Sequence, residues 1–321
     1  MLNIAIIGLG WWGKTHVNAI HGKSDKVKIR RVVDMAPENV RDFVAEKNLE
    51  LSTRYEDALA DPGVDAVILV TPHSQHTDQI IAAAKAGKHA FSEKPFALNA
   101  DAARRSIAAA QEAGIQLGLG HNQRFNPPVV EMKRMVDSGE IGTVMHFEGN
   151  LSHDELINPG SWRYDPVEAP GNGLWHMGSH FLDLYGWILG PVKEVYAQAV
   201  DRVLERDSAQ ALLQFECGAT GYIGNSTYTA RSRTLTLYGS NGWAKMLSPT
   251  ELEVQMRGGK PAEVRTFEPV DIVRANMECF ADAIAGRAPY RFTYDEIVND
   301  IEALDAMAKS LREHRPVRVG E

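Results

Sequence analysis

With 321 residues, 44% of them hydrophobic and 24% charged, the chain has the composition of a folded protein with room for two cores. Its 42 acidic against 34 basic residues leave a net charge of -8, and Lys and Arg never cluster in a long run, which excludes a nucleic-acid surface. No apolar stretch reaches the roughly eighteen residues of a membrane span, no export leader is expected from the residues before the first strand, and Cys217 and Cys279 lack the spacing of a disulfide framework. A cytoplasmic protein with two buried thiols, acting on a small molecule, is expected.

Asn3 to Ile7 reads as a short buried strand that runs into Gly8-Leu9-Gly10-Trp11-Trp12-Gly13 and then a helix over Lys14 to His21. Strand, glycine fingerprint and helix together predict a dinucleotide site. Gly8 serves the tight turn, Gly10 the approach of the pyrophosphate and Gly13 close helix–strand packing, with Trp12 in the loop that meets the cofactor. A second strand, Val27 to Val33, ends at Asp34, placed to accept from the adenosine ribose hydroxyls and to repel a 2'-phosphate. NAD is therefore expected rather than NADP, although Arg30 and Arg31 precede the carboxylate.

Strands follow at Ala66 to Val70, His89 to Phe91 and Gln116 to Leu119, with helices at Pro37 to Lys47, Thr77 to Ala86 and Asp101 to Ala113. This alternation predicts an α/β class and a Rossmann doubly wound parallel sheet over residues 1–120. Ligands bind beyond the carboxyl ends of such strands, which is where Thr71, Pro72 and His76 fall after one strand and Glu93, Lys94 and Pro95 after the next. Lys94 is the first catalytic candidate.

Beyond residue 120 the pattern changes to a helix over Pro127 to Ser138 and strands at Thr143 to Leu151, Val192 to Val200, Ala209 to Phe215, Thr220 to Ser226 and Thr234 to Tyr238. Residues 121–321 are thus expected to form an α+β domain with a large, mainly antiparallel open sheet, whose uncovered face suits self-association into a dimer or tetramer. Between the first two of those strands, spacings of four and three put His176, His180 and Asp183 on one face of a helix. Two helices, Ile272 to Ile284 and Tyr294 to Glu313, carry core stripes that include Met277, Phe280, Ile297 and Ile301.

Gly-x-Gly-x-x-Gly, Thr-Pro-x-x-x-His, Glu-Lys-Pro, Arg-Phe-x-Pro and Gly-x-x-His-x-x-Asp follow one another in this order, and over almost its whole length the chain resembles the Gfo/Idh/MocA family of oxidoreductases. The resemblance implies NAD- or NADP-dependent hydride transfer on sugars, inositols and related polyols. It further implies that Lys94 holds the reacting hydroxyl, that His180 exchanges its proton, and that Trp162 and Arg163 lie near the nicotinamide. Arg163 and His153 are candidate substrate contacts beside Lys94, His176 and His180.

One position departs from the family pattern: His176 stands where an Asp usually precedes the catalytic His by four residues. An imidazole there lowers the basicity of its neighbours, acts itself as a base, or joins His180 and either His153 or Asp183 around a metal. Asp183 is otherwise an orienting acceptor or a structural partner. Three functions stay open: a dehydrogenase of polyhydroxylated alcohols, an NAD-using lyase or glycosidase with transient redox and no net NADH, and a catalytically silent ligand sensor.

Overall fold

The computed structural model describes residues 1–152, 162, 165–170, 173–203 and 207–321. They divide into two compact units, one of residues Met1–Asn122 with Asp271–Tyr294, the other of Gln123–Val270 with Asp295–Glu321. His153 and Arg163 lie outside the described residues.

In the first unit the chain alternates β1 (Leu2–Ile7), α1 (Trp11–Ile20), β2 (Val27–Val33), α2 (Arg41–Glu46), β3 (Glu50–Ser52), α3 (Tyr55–Ala60), β4 (Ala66–Leu69), α4 (His73–Lys85), β5 (His89–Ser92), α5 (Ala100–Ala113) and β6 (Leu117–Leu119). The six strands pair in parallel in the order β3-β2-β1-β4-β5-β6, which is the expected Rossmann arrangement. β4 is buried throughout, as a strand covered on both faces must be. The helix expected over Pro37 to Lys47 begins instead as a 3-10 turn, Pro37–Asn39, because Val40 at φ -127° leaves helical geometry before α2 starts.

The second unit opens with α6 (Pro127–Asp137), β7 (Val144–Ser152), α7 (Ser179–Leu189), β8 (Val192–Val200), β9 (Ser208–Phe215), β10 (Thr220–Ser226), β11 (Ser232–Gly239), β12 (Gly242–Ser248), β13 (Glu251–Met256) and β14 (Glu263–Thr266). The chain then returns to the first unit for α8 (Ile272–Ile284) and ends in the second with α9 (Tyr294–Glu313) and β15 (Val317–Arg318). Nine strands form one sheet in the order β14-β13-β12-β11-β7-β10-β9-β8-β15, with β7 and β10 parallel and the other neighbours antiparallel. The mainly antiparallel sheet matches expectation, although β3 and β12 to β15 are too short or too polar to stand out in the sequence.

Alternation along β9 sends Ala209, Ala211, Leu213 and Phe215 inward and leaves Leu212 56% exposed. On the inner face Tyr185 of α7 packs 4.3 Å from Phe147, ring to ring, and its hydroxyl donates to the Tyr222 carbonyl at 3.0 Å. α8 joins the first unit for an apolar reason: Val273, Met277, Phe280 and Ala281 complete a core with Leu2, Ile4, Ile29 and Phe91. Of the two thiols expected to be buried, Cys279 is half-buried on this helix, while Cys217 is exposed because it sits in the tight turn joining β9 to β10.

No helix among the described residues is long and apolar enough to cross a membrane.

Candidate active site

Parallel register sets the site of the first unit. Ile7 lies opposite Val33 on one side and Leu69 on the other, and Leu69 lies opposite Ser92. The residues that follow, Gly8, Asp34, Thr71 and Glu93-Lys94, therefore stand side by side along one sheet edge, at strand spacings of about 5 Å. That edge is the carboxyl end of the strands, where open α/β sheets take their ligands.

The three glycines have separable reasons to be glycine. Gly8 adopts φ +95°, and a Cβ there lies 2.8 Å from the Val70 carbonyl oxygen. A Cβ on Gly13 lies 2.0 Å from the Gly8 carbonyl oxygen, so the strand-to-helix packing itself forbids a side chain. Gly10 is different: its φ of -60° suits any residue and nothing of the protein comes within 4 Å of its Cβ. The protein leaves this space open at the N-terminus of α1, where no side chain caps the helix, which suits a dinucleotide pyrophosphate.

Asp34 half-closes this cradle. Its Oδ2 accepts from the Leu9 amide at 2.7 Å and its Oδ1 from the Ala36 amide at 2.9 Å, which fixes the carboxylate beside the glycine loop with lone pairs left for ribose hydroxyls. Arg30 is drawn away to Asp61 at 3.0 Å and Arg31 to Glu50 and Asp61, so neither guanidinium is placed by these bonds to receive a 2'-phosphate. Trp12 packs inward against the core of the unit, whereas Trp11 is 77% exposed.

The loops after β4 and β5 are joined by a histidine. His76, on α4 and fully buried, has Nδ1 3.1 Å from the Pro95 carbonyl oxygen and Nε2 3.1 Å from the Thr71 carbonyl oxygen. Carbonyls only accept, so a neutral ring donates to one of them and an imidazolium to both. Thr71 Oγ1 meets Gln79 Oε1 at 2.6 Å, and Pro72 is the residue at the N-cap of α4. The Lys94–Pro95 peptide is cis, and Lys94 is half-buried. Glu93 is buried beside it, 2.8 Å from His16. Burial by itself pushes the Glu93 carboxyl up, but His16 and the Lys94 charge outweigh it and hold the group below the usual carboxylate range.

In the second unit the histidine segment is not one regular helix. Leu174–Gly178 form a π turn that passes directly into α7 at Ser179. The wider turn ends between His176 and His180, so the two histidines sit on either side of a change in helical geometry. His176 is buried, with the Trp162 ring edge-on 6.5 Å away, and His180 is half-buried. Asp183 turns elsewhere: its Oδ1 accepts from Arg124 Nε at 2.9 Å and lies 2.7 Å from Nη2. Of its two expected roles, the structural one is observed. In the sequence Arg124 stands out only as part of Arg-Phe-x-Pro, and His16 not at all, since nothing local marks a partner more than fifty residues away.

A parallel nucleotide-binding sheet with an open glycine cradle and a Glu-Lys-Pro loop at its carboxyl edge defines an oxidoreductase of the dinucleotide-dependent class. The profile described as "Oxidoreductase family, NAD-binding Rossmann fold" matches residues 2–121, and that of the "GFO/IDH/MocA C-terminal domain" matches residues 129–245. The chain belongs to the Gfo/Idh/MocA family. It is 32% identical over 262 residues to an uncharacterized oxidoreductase of Bacillus subtilis, YrbE, covering 78% of this chain and 75% of that one. It is 29% identical over 254 residues to the myo-inositol 2-dehydrogenase of Thermotoga maritima, covering 75% and 74%. Levoglucosan dehydrogenase, solved in complex with NADH, shares the fold with a TM-score of 0.88 at 21% identity, over 100% of this chain and 99% of that one.

Proposed function

We propose that this protein is an NAD-dependent dehydrogenase acting on a secondary hydroxyl of an inositol, sugar or related polyol. The observation that carries the reading is the alignment of Gly8, Asp34, Thr71 and Lys94 on one edge of the parallel sheet, with an open cradle at Gly10. The names of the relatives, myo-inositol 2-dehydrogenase and levoglucosan dehydrogenase, support the substrate class.

Bound NAD supplies the hydride acceptor. Asp34 would accept from its adenosine ribose, Thr71, Pro72, His76, Glu93 and Trp12 would border it, and Trp162 and Arg163 would attend its nicotinamide end. The Lys94 ammonium holds the hydroxyl oxygen and stabilises the negative charge that gathers there as the proton leaves. His180 takes that proton and His176 is its partner, in the position the family usually gives to Asp. His153 and Arg163 complete the contacts to substrate. The protein works in the cytoplasm as a homodimer or homotetramer, built through the open face of the nine-stranded sheet to which Leu212 contributes.

The test is a screen of inositols, sugars and sugar acids with pure protein and NAD, following NADH absorbance. Net NADH formation with a polyol is expected. Product released without net NADH overturns simple oxidation in favour of transient redox, and tight NAD binding with no turnover on any class overturns it in favour of a ligand sensor.

A further inference from the structure

His16 sits on α1, the helix whose N-terminal turn offers the open cradle, and it is only 2% exposed. Its Nε2 lies 2.8 Å from Glu93 Oε1, while Nδ1 has no hydrogen-bond partner among the described residues. The ring therefore presents its donor hydrogen at Nε2. It is held edge-on by two aromatic neighbours, Trp12 with centroids 5.8 Å apart and Phe91 at 6.1 Å.

Glu93 passes this constraint to the next residue. Its second carboxylate oxygen accepts from the Lys94 amide at 3.2 Å. The carboxylate also fills the space that a side chain at Gly120 would need, since a Cβ there comes within 2.5 Å of the carboxyl carbon. From the other side His76 grips the carbonyl of Pro95 at 3.1 Å. The main chain bearing Lys94 is thus anchored just before and just after that residue, and both anchors are buried histidines on different helices.

We propose that His16 is a positioning residue for Lys94: through Glu93 it ties the helix that receives the pyrophosphate to the peptide that carries the Lys94 ammonium, so that cofactor docking and Lys94 placement are coupled. The functional consequence rests on the reading of Lys94 as the group that holds the hydroxyl. The coupling itself concerns only residues of the first unit. A leucine at 16 fills similar volume but leaves the Glu93 carboxylate buried without its donor, whereas a glutamine carries an amide nitrogen at nearly the reach of Nε2.

The experiment compares wild type with His16→Leu, His16→Gln, Glu93→Gln and Lys94→Ala. Three quantities are read: the NAD dissociation constant from tryptophan fluorescence, amide hydrogen exchange of the 92–97 peptide with and without NAD, and turnover on a polyol that forms NADH. In wild type NAD is expected to slow exchange at the Lys94 amide by about tenfold or more. In His16→Leu, NAD affinity should stay within about threefold while that slowing is lost and kcat falls about tenfold with little change in KM. His16→Gln should restore both.

Wild-type slowing by NAD in a folded His16→Leu protein overturns the proposal, as does failure of His16→Gln to differ from His16→Leu. Should the leucine variant not fold, Glu93→Gln decides, because it keeps the packing and weakens the anchor; unchanged exchange there overturns the coupling. Undiminished turnover in Lys94→Ala would instead remove Lys94 from the chemistry, an outcome separate from the exchange results.

Discussion

Arg124 and Asp183 are buried together, each side chain at 0% exposure, with the guanidinium Nε and Nη2 at 2.9 and 2.7 Å from one carboxylate oxygen. Burial lowers the proton affinity of the guanidinium, but Asp183, Asp300 and Glu296 together raise it above its ordinary value, so the charge is permanent. Its Nη1 reaches Glu296 Oε2 at 3.0 Å, which ties the start of α9 to α7 through one side chain. Arg124→Met leaves Asp183 buried without its partner and is expected to cost about 3 to 5 kcal/mol. Urea unfolding of the two proteins measures it, and a loss below about 1 kcal/mol would show that the pair does not hold the unit together.

Asp300 adds a pH dependence to this cluster. Burial first, and then the Asp183 charge, push its carboxyl well above the usual range, with Arg124 opposing. Its folded proton affinity exceeds that of the unfolded chain, about 3.9, so the stability it contributes is complete below that pH and is lost as pH rises through the raised value. Asp300→Asn keeps a donor and cannot ionise. Its urea midpoint should fall less than that of wild type as pH rises above about 4, and parallel curves would contradict the assignment.

The glycine loop separates folding from binding. Gly10→Val should fold with a wild-type melting temperature yet bind NAD at least a hundredfold more weakly, since the only space it takes is open. Gly13→Ala drives a Cβ against the Gly8 carbonyl and should lower the melting temperature itself. Thermal unfolding with and without NAD distinguishes the two, and a Gly10→Val protein that still binds would move the pyrophosphate elsewhere.

Asp34→Ala should narrow the preference for NAD over NADP, because it deletes both the acceptor and the charge that repels a 2'-phosphate. The same change frees the Leu9 and Ala36 amides, so some affinity for both cofactors should fall as the loop loosens. Dissociation constants for the two dinucleotides check this. A wild type that binds NADP as well as NAD would sink the assignment.

Lys94→Ala is expected to cut turnover about a hundredfold or more with NAD affinity nearly intact, as fits a charge used in the transition state. His180→Ala should abolish turnover, and His176→Asp should keep it while moving the acid limb of the pH profile toward higher pH, because a neighbouring carboxylate raises the pKa of the proton acceptor. Loss of activity to a chelator, recovered with added divalent ion, would replace this proton relay by a metal at the same histidines.

The parallel sheet was legible because a strand followed by glycines at fixed offsets and a helix leaves few alternatives, and Asp34 sits where the second strand must end. Lys94 could be placed at a strand end for the same reason. What stayed hidden was long range. Glu93 reads as the acidic start of Glu-Lys-Pro, and only the fold reveals that His16 lies 2.8 Å from it across 77 residues of sequence. The π turn over Leu174–Gly178 was equally invisible, since spacings of three and four name a regular helix and carry no sign of an inserted residue. Asp183 was ambiguous until Arg124 was seen beside it.

The apolar seat of α8 governs the order in which this protein can mature. Phe280 rests over Gly118 and its helix donates, through Asn276 Nδ2, to the Leu119 carbonyl at 2.8 Å, so β6 and the adjoining core surface are closed by residues made some 150 positions later. During synthesis the nucleotide-binding sheet must wait, with Leu2, Ile4, Ile29 and Phe91 incompletely covered, while the ribosome makes nearly all of the second unit. A fragment cut after residue 122 would carry every glycine of the fingerprint and still lack one wall of its own interior.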